Sequence, residues 1–437
     1  MARSRSFAPL NIYLNGRHVG QLNRSTNGAI SFQYADAWLK WEHTLPVSLS
    51  LPLREQGYSG AAVSAVFENL LPDNRDIRAR LAGRKHADGI DAFSLLSKVG
   101  RDCVGALQFL PEGEAPETVG AISGREVSNA EIAAMLADLS ASPLGLGEDE
   151  DFRISIAGAQ EKTALLFNVG KWMIPHGTTA TTHILKPPIG IRNDGIDLSL
   201  SAENEHFCLT LLGHLGLPVA KTEVVTFEDR KALVVERFDR RWTKDGRLIR
   251  LPQEDLCQAL SVPPDLKYEK DGGPGYQAIA GLLQGSDDPT HDQTLLMKTM
   301  VLFWLLAASD GHAKNFSVFL NPGGGYHMTP IYDVMSVQPV FDAGQLRQNK
   351  VRLAMVVGEH RHYRIDEIVP RHFFETAKLC GIGESIIRQL IVEIIDGSPT
   401  AIAATRANMP TTFPVELMTS ILGGYEARLK LLEAAGA

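Results

Sequence analysis

The pattern of apolar and polar positions changes along the chain, and it begins as a strand pattern. Residues Leu10–Leu14 and 18–22 form short apolar runs on either side of an Asn15-Gly16 pair. That pair predicts a tight hairpin, because both turn positions need a positive φ that Asn and Gly tolerate. Two helical patterns follow, at residues 60–71 and 74–81. We therefore predict a β-rich segment with helices over residues 1–110.

The next part of the chain predicts a connection and then a second strand-rich segment. Residues 111–150 contain two stretches rich in Gly, Pro, Ser or acidic residues, which is typical of linkers. Residues 151–252 then predict strands, including His183–Lys186, which ends at a Pro-Pro pair. Proline cannot donate to a strand ladder, so the strand stops there. We place a domain boundary near residue 150.

Two more elements are predicted in this second segment. Ser201 is placed to cap a helix that ends at Gly216, since its side chain can accept a hydrogen bond from the first helical turn. Residues 221–227 and 231–235 read as strands and predict a hairpin across Glu228-Asp229.

Beyond residue 252 the apolar positions take up the spacing of helices. The predicted helices are 253–260, 275–283, 290–308, 370–380, 383–395 and 415–432. A glycine-rich turn at 322–325 lies between short strands. A strand-rich part followed by a helix-rich part predicts the α+β class.

Composition narrows the function. The 437 residues are 44% hydrophobic and 22% charged with a net charge of −8, which suits a globular protein and disfavours duplex binding by this chain alone. Four widely spaced cysteines argue against a disulfide framework or a zinc site and favour a reducing compartment. The first residues of the sequence lack the apolar stretch of a signal sequence. The apolar run 300–308 is about half as long as a membrane-spanning helix. We therefore expect no membrane insertion and a cytoplasmic protein.

The strongest chemical signal is a short loop directly after an apolar helix, Ser309-Asp310-Gly311-His312-Ala313-Lys314-Asn315-Phe316. Asp310 and Asn315 have the D-x-x-x-x-N spacing of a kinase catalytic loop. In that chemistry the Asp accepts a hydroxyl proton and the Asn holds magnesium on the phosphates, so both must lie on one tight loop. The spacing alone also occurs by chance.

A second carboxylate follows eighteen positions after Asn315. Asp333, within Pro330-Ile331-Tyr332-Asp333-Val334-Met335-Ser336, has the place of the kinase D-F-G aspartate that bridges magnesium to the phosphates. A lone aspartate after a strand is more often a turn residue. The order of the two motifs is what makes a kinase the favoured interpretation.

A kinase also needs a lysine on a strand, and Ile184-Leu185-Lys186 supplies one. Lys186 would neutralise the α- and β-phosphates of a nucleotide, and Glu205 on the next helix is the candidate acid to orient it. The alternative is a lysine that keeps the edge of a sheet soluble.

Two further segments fit nucleotide binding. Residues 155–163 are mainly small and polar, which lets backbone N–H groups approach phosphate oxygens. Because their single glycine matches no phosphate-loop signature, a tight hairpin is the alternative. Residues 236–240, Glu-Arg-Phe-Asp-Arg, follow a strand at the position of the adenine-binding hinge of kinases. Their alternative is a surface ion-pair cluster.

Taken together, these segments resemble the HipA family of bacterial serine/threonine kinases, which are the toxins of toxin-antitoxin pairs. The segments that carry the resemblance are 154–163, 183–186, Asn204-Glu205, 235–240, 310–316, Tyr332-Asp333-Val334, and nearer the start 67–72, Leu95-Leu96 and Val99-Gly100. They cover nearly the whole chain. The resemblance implies a two-lobed, protein-kinase-like α+β fold with a β-rich N-terminal subdomain and an all-helical C-terminal lobe. The implied domains are 1–110, a connecting segment 111–150, an N-lobe core 151–252 and a C-lobe 253–437.

The resemblance also implies a role for individual residues. Asp310 becomes the catalytic base, Asn315 and Asp333 the magnesium ligands, and Ser155 the autophosphorylation site. The implied ATP contacts are Ile156, Ala157, Gly158, Ala159, Gln160, Glu161, Lys162, Thr163, Lys186, Glu236, Phe238, His312 and Lys314, with Glu205 as the acid that orients Lys186. A phosphate on Ser155 would add about two negative charges where ATP phosphates bind, and would expel the loop.

The cofactors implied by the resemblance are ATP and Mg²⁺. The implied partners are a HipB-like helix-turn-helix antitoxin, which brings DNA with it, and a protein substrate of the glutamyl-tRNA synthetase type. Val334-Met335 replaces the Phe-Gly of eukaryotic kinases, so regulation of that kind is not carried over. Two other functions stay open, a small-molecule phosphotransferase and a catalytically idle nucleotide-binding corepressor.

Overall fold

Strands dominate the first part of the chain and helices the second. The computed structural model of the protein describes residues 7–139, 143–145, 154–158 and 160–435. The α-helices are α1 (Asp36–Leu39), α2 (Ala61–Glu68), α3 (Arg75–Arg84), α4 (Ala92–Val99), α5 (Asn129–Ala137), α6 (Ser201–His214), α7 (Leu256–Ala259), α8 (Tyr276–Leu283), α9 (Pro289–Leu306), α10 (Gln338–Asp342), α11 (Arg371–Leu379), α12 (Glu384–Asn408) and α13 (Val415–Ala434). The strands are β1 (Leu10–Leu14), β2 (Arg17–Arg24), β3 (Ile30–Tyr34), β4 (Tyr58–Ser59), β5 (Leu107–Pro111), β6 (Gly124–Glu126), β7 (Thr163–Asn168), β8 (Lys171–Pro175), β9 (His183–Lys186), β10 (Gly190–Ile191), β11 (Asp197–Leu198), β12 (Thr222–Phe227), β13 (Arg230–Glu236), β14 (Arg240–Trp242), β15 (Leu248–Arg250), β16 (Gln253–Asp255), β17 (Ser317–Leu320), β18 (Tyr326–Met328), β19 (Arg352–Val357) and β20 (His362–Arg364). The predicted α+β class is confirmed.

The described residues fold into two units. The first unit draws on Met1–Pro187, Val225–Asp265 and Val318–Tyr326. The second draws on Pro188–Val224, Leu266–Ser317 and His327–Ala437. Lys186 and residues 155–163, called the small-residue loop below, were predicted to bind phosphates and belong to the first unit. The Asp310 loop belongs to the second unit.

The first unit contains a five-stranded antiparallel sheet, and the predicted hairpin lies in it. This sheet has the strand order β4-β3-β2-β1-β5. Leu14 pairs with Arg17 across the turn, where Asn15 and Gly16 have φ values of 44° and 80°. Both values lie in the left-handed region, which confirms the turn expected from the Asn-Gly pair.

Another antiparallel sheet of this unit contains the predicted lysine, Lys186. Strands β13, β9, β7, β8 and β6 are neighbours in that order. Lys186 at the end of β9 pairs with Leu233, and Leu185 pairs with Thr163 at the start of β7. The lysine therefore lies beside the strand that leaves the small-residue loop.

The second unit is built around helix α9. Asp288 caps this helix by accepting a hydrogen bond from the His291 N–H at 3.0 Å, and Pro289 occupies the first helical position, where a missing N–H costs nothing. Trp304 is fully buried, and its indole N–H donates to the Ile365 carbonyl at 3.1 Å. Helices α8, α12 and α13 pack against α9. The predicted buried core helix is confirmed.

Two predicted helix starts were wrong. Ser201 is the first residue of α6 rather than its cap, and its hydroxyl accepts from the Ile189 N–H at 2.9 Å instead of bonding the helix. Residues 253–255 form a strand, and the helix begins only at Leu256. The reason is a capping box in which Asp255 accepts from the Gln258 N–H while Gln258 bonds back to Asp255.

The C-terminal part also differs from the prediction in two ways. Helix α12 runs on to Asn408 instead of ending near residue 395, because buried Ala401 and Ile402 continue its apolar face beyond Pro399. Residues 253–437 are not all-helical, since β16 to β20 lie within them. Among the helices in the described part of the chain, none combines the length and the apolar character needed to cross a bilayer. All four cysteines are buried thiols.

Candidate active site

The loop after α9 presents one carboxylate to solvent and buries its neighbours. Asp310 has a side chain that is 58% exposed. By contrast, His312, Lys314 and Asn315 are 3%, 6% and 6% exposed. A burial pattern of this kind fixes the loop while leaving Asp310 accessible to a second molecule.

Hydrogen bonds within the loop fix its shape. The Asn315 side-chain Nδ2 donates to the backbone carbonyl of Asp310 at 2.8 Å, and the His312 N–H donates to the same carbonyl at 2.8 Å. The Asn315 N–H in turn donates to the His312 carbonyl at 2.9 Å. The bond from Nδ2 fixes the orientation of the Asn315 amide, and Oδ1 is the atom of that amide able to bind a cation.

The segment that carries Asp333 is tied to this loop by Tyr332. The Tyr332 hydroxyl donates to the Lys314 carbonyl at 2.9 Å, and the Ser317 hydroxyl lies 2.6 Å from it and acts as its donor. Asp333 itself has a φ of 59°, a left-handed conformation that is uncommon for a residue other than glycine. Such a conformation persists where the surroundings hold it, and it is frequent at functional sites.

Asn204 on α6 supplies a second anchor that the motifs did not predict. Its amide Nδ2 donates to the Ser336 carbonyl and its Oδ1 accepts from the Ser336 N–H, both at 2.8 Å. On the other side, the Ile331 N–H donates to the Pro218 carbonyl at 2.8 Å. Asp333 is therefore held between two anchored residues. No local sequence signal reveals this, since Asn204 and Ser336 lie 132 positions apart.

In the first unit, the small-residue loop begins at a fixed point. Ile154 bridges to Asp102, and the Ser155 N–H donates to the Asp102 carbonyl at 2.9 Å. Ser155 is fully buried, and its hydroxyl donates to the Leu70 carbonyl at 2.8 Å. In this conformation the predicted autophosphorylation site is a packed core serine.

The rest of the loop folds back on itself. Gly158 has a φ of 112°, which a side chain rarely allows, and the Asp73 N–H donates to its carbonyl at 3.1 Å. Lys162 Nζ donates to the Ala157 carbonyl at 3.0 Å. Gln160 Nε2 donates to the Pro187 carbonyl at 2.9 Å, which joins the loop to the residue after Lys186.

The remaining loop residues have varied surroundings. Ile156 is buried. Glu161 pairs with Arg80 at 3.1 Å, and both side chains are about a third exposed. The buried Thr163 hydroxyl donates to the Leu144 carbonyl at 2.7 Å. Ala159 lies outside the described residues.

Lys186 is not an edge lysine. Strand β9 has β13 on one side and β7 on the other, and Lys186 is 7% exposed. The alternative of a solubilising edge residue is therefore wrong. Glu205 is 2% exposed on α6 and belongs to the second unit, so its role as the acid that orients Lys186 stays a prediction.

The hinge candidates Glu236 and Phe238 are accessible. Glu236 ends β13 on its exposed side, and Phe238 is half-buried with its ring edge against Phe319, at a centroid separation of 5.9 Å. A partly exposed aromatic ring at a strand end suits contact with a flat heterocycle.

The alternative of a surface ion-pair cluster at residues 236–240 is wrong. Arg237 binds Asp239 through two hydrogen bonds of 3.0 and 2.8 Å, and Arg240 Nη2 binds Asp102 at 2.9 Å. Arg250 Nη2 binds the same Asp102 oxygen at 2.9 Å. All five side chains are at most 5% exposed.

This buried arginine cluster, Asp102, Arg237, Asp239, Arg240 and Arg250, contains one positive charge in excess. Burial alone would raise the pKa of Asp102, but the guanidinium groups of Arg240, Arg250 and Arg237 hold it well below its usual range. Burial, together with the neighbouring charge of Arg237, lowers the pKa of Arg240 to about 10. The backbone carbonyl of Asp102 also accepts a hydrogen bond from the Ser155 N–H. The cluster therefore connects the hinge segment to the start of the small-residue loop.

Comparison with known proteins identifies relatives of the chain. The family model of the HipA-like C-terminal domain matches residues 154–402, and that of the HipA N-terminal domain matches residues 10–110. Y4mE of Sinorhizobium fredii, which bears the name of a kinase, is 36% identical over 400 residues that cover 90% of this chain and 91% of Y4mE. The serine/threonine-protein kinase toxin HipA of Shewanella oneidensis is 27% identical over 449 residues, covering 97% and 96% of the two chains.

Among solved structures, the complex of Shewanella oneidensis HipA with HipB and its operator DNA is similar, with a TM-score of 0.80. The sequence identity is 25%, over 97% of this chain and 98% of the matched one. The fold is protein-kinase-like α+β, and the relatives of the chain bear the names of kinases. The chain belongs to the HipA family of serine/threonine kinase toxins, which confirms the resemblance inferred from its motifs.

Proposed function

We propose that this protein transfers the γ-phosphate of ATP to a serine of a target protein. The observation that carries the proposal is the loop in which Asn315 binds the Asp310 carbonyl while Tyr332 ties the Asp333 segment to Lys314. A turn with a purely structural role needs neither an exposed carboxylate nor an aspartate in left-handed backbone. Both features are expected where a base and a metal ligand must be held in place.

The residues fit magnesium and ATP. Asn315 Oδ1 and the Asp333 carboxylate are the oxygen donors that Mg²⁺ prefers, and we assign both as its ligands. ATP, when bound with magnesium, supplies the phosphoryl group. Asp310 accepts the proton of the serine hydroxyl as that oxygen forms its bond to the γ-phosphorus and the bond to the ADP oxygen breaks.

The other proposed ATP contacts bind either the phosphates or the adenine. Lys186 and Lys314 supply positive charge for the phosphates, and backbone around Gly158 supplies N–H groups. Glu236 and Phe238 flank the adenine. His312, which packs within the same loop as Asp310, completes the set together with the loop residues 156–163.

Self-inactivation is the second part of the proposal. Ser155 is buried and bonded to Leu70, so phosphorylation requires the loop to leave this position, and a phosphoserine cannot return to it. The phosphorylated loop would then no longer cradle ATP. Autophosphorylation at Ser155 would therefore switch the kinase off.

Partners follow from the family. The Shewanella oneidensis relative is found in a complex with HipB and operator DNA. We propose that a HipB-like antitoxin binds and neutralises this chain in the bacterial cytoplasm, and that DNA is reached mainly through that antitoxin. Glutamyl-tRNA synthetase is the first protein substrate to test.

The test is phosphopeptide mass spectrometry of the purified protein after incubation with ATP and magnesium, with and without glutamyl-tRNA synthetase. Phosphate on Ser155 in the wild type, and none in Asp310→Gln, supports a kinase with Asp310 as its base. Ser155→Ala controls for the site and should still phosphorylate a protein substrate. If ATP binds but neither protein is phosphorylated, an idle corepressor or a small-molecule phosphotransferase takes the place of this proposal.

A further inference from the structure

The exposed carboxylate of Asp310 has a partner outside its own loop. The phenol of Tyr268 donates to Asp310 Oδ1 at 2.5 Å. The two residues lie 42 positions apart, and Tyr268 belongs to the stretch after α7 that carried no predicted chemistry. This hydrogen bond joins a neutral donor to a carboxylate, a type stronger than one between neutral groups.

The turn that carries Tyr268 is itself anchored. The Asp271 and Gly273 N–H groups both donate to the Tyr268 carbonyl at 3.0 Å. Next to it, Glu269 Oε2 accepts from the Val356 N–H of β19 at 2.8 Å. The phenol therefore comes from a fixed backbone position.

The ring of Tyr268 is also held. Its edge meets the ring of buried His312 with centroids 4.8 Å apart and planes at 85°. The ammonium groups of Lys267 and Lys270 lie 5.5 and 5.4 Å from its centroid. Positive charge beside a phenol makes it a stronger donor, which favours the bond to Asp310.

An exposed aspartate has little to fix the rotation of its carboxylate, because that terminal torsion has a broad energy minimum. A donor on Oδ1 removes this freedom and leaves Oδ2 to face an incoming hydroxyl. In phosphoryl transfer, where orientation supplies much of the rate, such a constraint acts on the chemical step rather than on nucleotide binding.

We infer that Tyr268 is a positioning residue that orients the carboxylate of Asp310 for proton transfer from the acceptor serine. The inference rests on the proposed kinase function. It assigns Tyr268 to the acceptor side of the reaction, so its removal should leave ATP affinity unchanged.

The experiment measures the first-order rate constant of Ser155 phosphorylation against ATP concentration in the full-length protein. Because each chain is phosphorylated once, kcat here denotes the maximal value of that rate constant, and KM denotes the ATP concentration that gives half of it. Tyr268→Phe keeps the ring against His312 and should lower kcat about tenfold, with the KM for ATP and the affinity for ADP unchanged. The matched control is Tyr363→Phe, which removes a partly exposed hydroxyl on β20 of the same unit and should leave kcat unchanged. Replacing Tyr268 by 4-aminophenylalanine, whose amine can donate to the same oxygen, should restore part of the rate.

Three results would overturn the inference in the presence of an active wild type. A kcat for Tyr268→Phe equal to that of the wild type removes the positioning role. A higher kcat for Tyr268→Phe would mean that Tyr268 blocks access to Asp310. A loss of ADP affinity in parallel with kcat would mean that Tyr268 has a structural role. A wild type that binds ATP but transfers no phosphate contradicts the proposed kinase function itself, which is a separate failure.

Discussion

Arg240 and Asp102 form an ion pair 2.9 Å long whose side chains are 2% and 3% exposed. The pair links the segment after β13 to the residue whose backbone carbonyl holds Ser155. Charges removed from water in this way add stability only when each has its partners. The buried arginine cluster is therefore sensitive to the loss of any one member.

Removal of the central carboxylate is the first prediction. Asp102→Asn leaves three buried guanidinium groups with one remaining carboxylate, and we expect the free energy of unfolding to fall by about 3–5 kcal/mol. Denaturant unfolding followed by fluorescence measures this loss. Glu126→Gln, which breaks the exposed pair with Lys171, should change stability by less than about 1 kcal/mol. Equal effects of the two variants would contradict the prediction.

The same carboxylate makes the stability of the protein depend on pH. Since the pKa of Asp102 is lowered in the folded state, its contribution is present above the ordinary pKa of 3.8 and is lost as the pH falls below that value. Asp102→Asn should lack this component of acid unfolding.

The second prediction is that Glu254 makes stability depend on pH in the direction opposite to Asp102. Burial raises its pKa from 4.5 to about 8, although the Leu49 N–H donates to Oε1 at 2.7 Å and stabilises the charged form. The folded state thus favours the protonated acid, so this contribution to stability is complete below pH 4.5 and is lost as the pH rises towards 8. The slope is at most about 1.4 kcal/mol per pH unit.

Glu254→Gln, which mimics the protonated acid, should match the wild type at pH 5 and exceed it in stability above pH 8. Urea unfolding between these pH values measures the difference. The exposed Glu126→Gln is the control, for which no crossover is expected. Parallel stability profiles for Glu254→Gln and the wild type would exclude a neutral buried acid.

The third prediction concerns nucleotide binding. Ser155→Glu places a charged side chain where a fully buried hydroxyl bonds the Leu70 carbonyl, so the loop must leave its position. We expect loss of ATP binding in calorimetry, whereas Ser155→Ala, which keeps the volume nearly unchanged, should bind ATP like the wild type. Unchanged affinity in Ser155→Glu would refute the proposed inactivation by a charged loop.

The fourth prediction tests the packing of the catalytic loop. A Cβ at Gly311 would overlap the ring of Phe303, which is 2% exposed, so Gly311→Ala must displace the loop or the ring. We expect a loss of about 1–3 kcal/mol in stability and a lower rate of phosphorylation. Phe303→Leu in the same chain should recover part of both.

The control for this variant is Gly281→Ala on the exposed side of α8, where nothing lies within 4 Å of the added methyl group. It should stabilise the protein by about 0.5–1 kcal/mol, because alanine is the better helix former. Thermal unfolding and phosphopeptide assays of both variants, side by side, measure the contrast. Normal activity in Gly311→Ala would show that the loop tolerates the shift.

Several features of the protein were determined by its sequence alone, because their causes are local. The Asn15-Gly16 turn follows from the backbone freedom of two adjacent residues. Helix α9 follows from its apolar spacing, and the Asp310 to Asn315 spacing defines one tight loop after it. The family itself was readable because its motifs are short and ordered along the chain.

The tertiary structure alone decided which distant residues meet. Arg240 contacts Asp102 across 138 positions, Asn204 contacts Ser336 across 132, and Tyr268 contacts Asp310 across 42. Periodicity and turn chemistry report only on neighbours within a few residues, whereas these contacts depend on strand order and helix packing. For that reason Arg237, Asp239 and Arg240, for which the sequence also allowed a surface ion-pair cluster, are buried together. For the same reason Tyr268, to which the sequence assigned no role, donates a hydrogen bond to the proposed catalytic base.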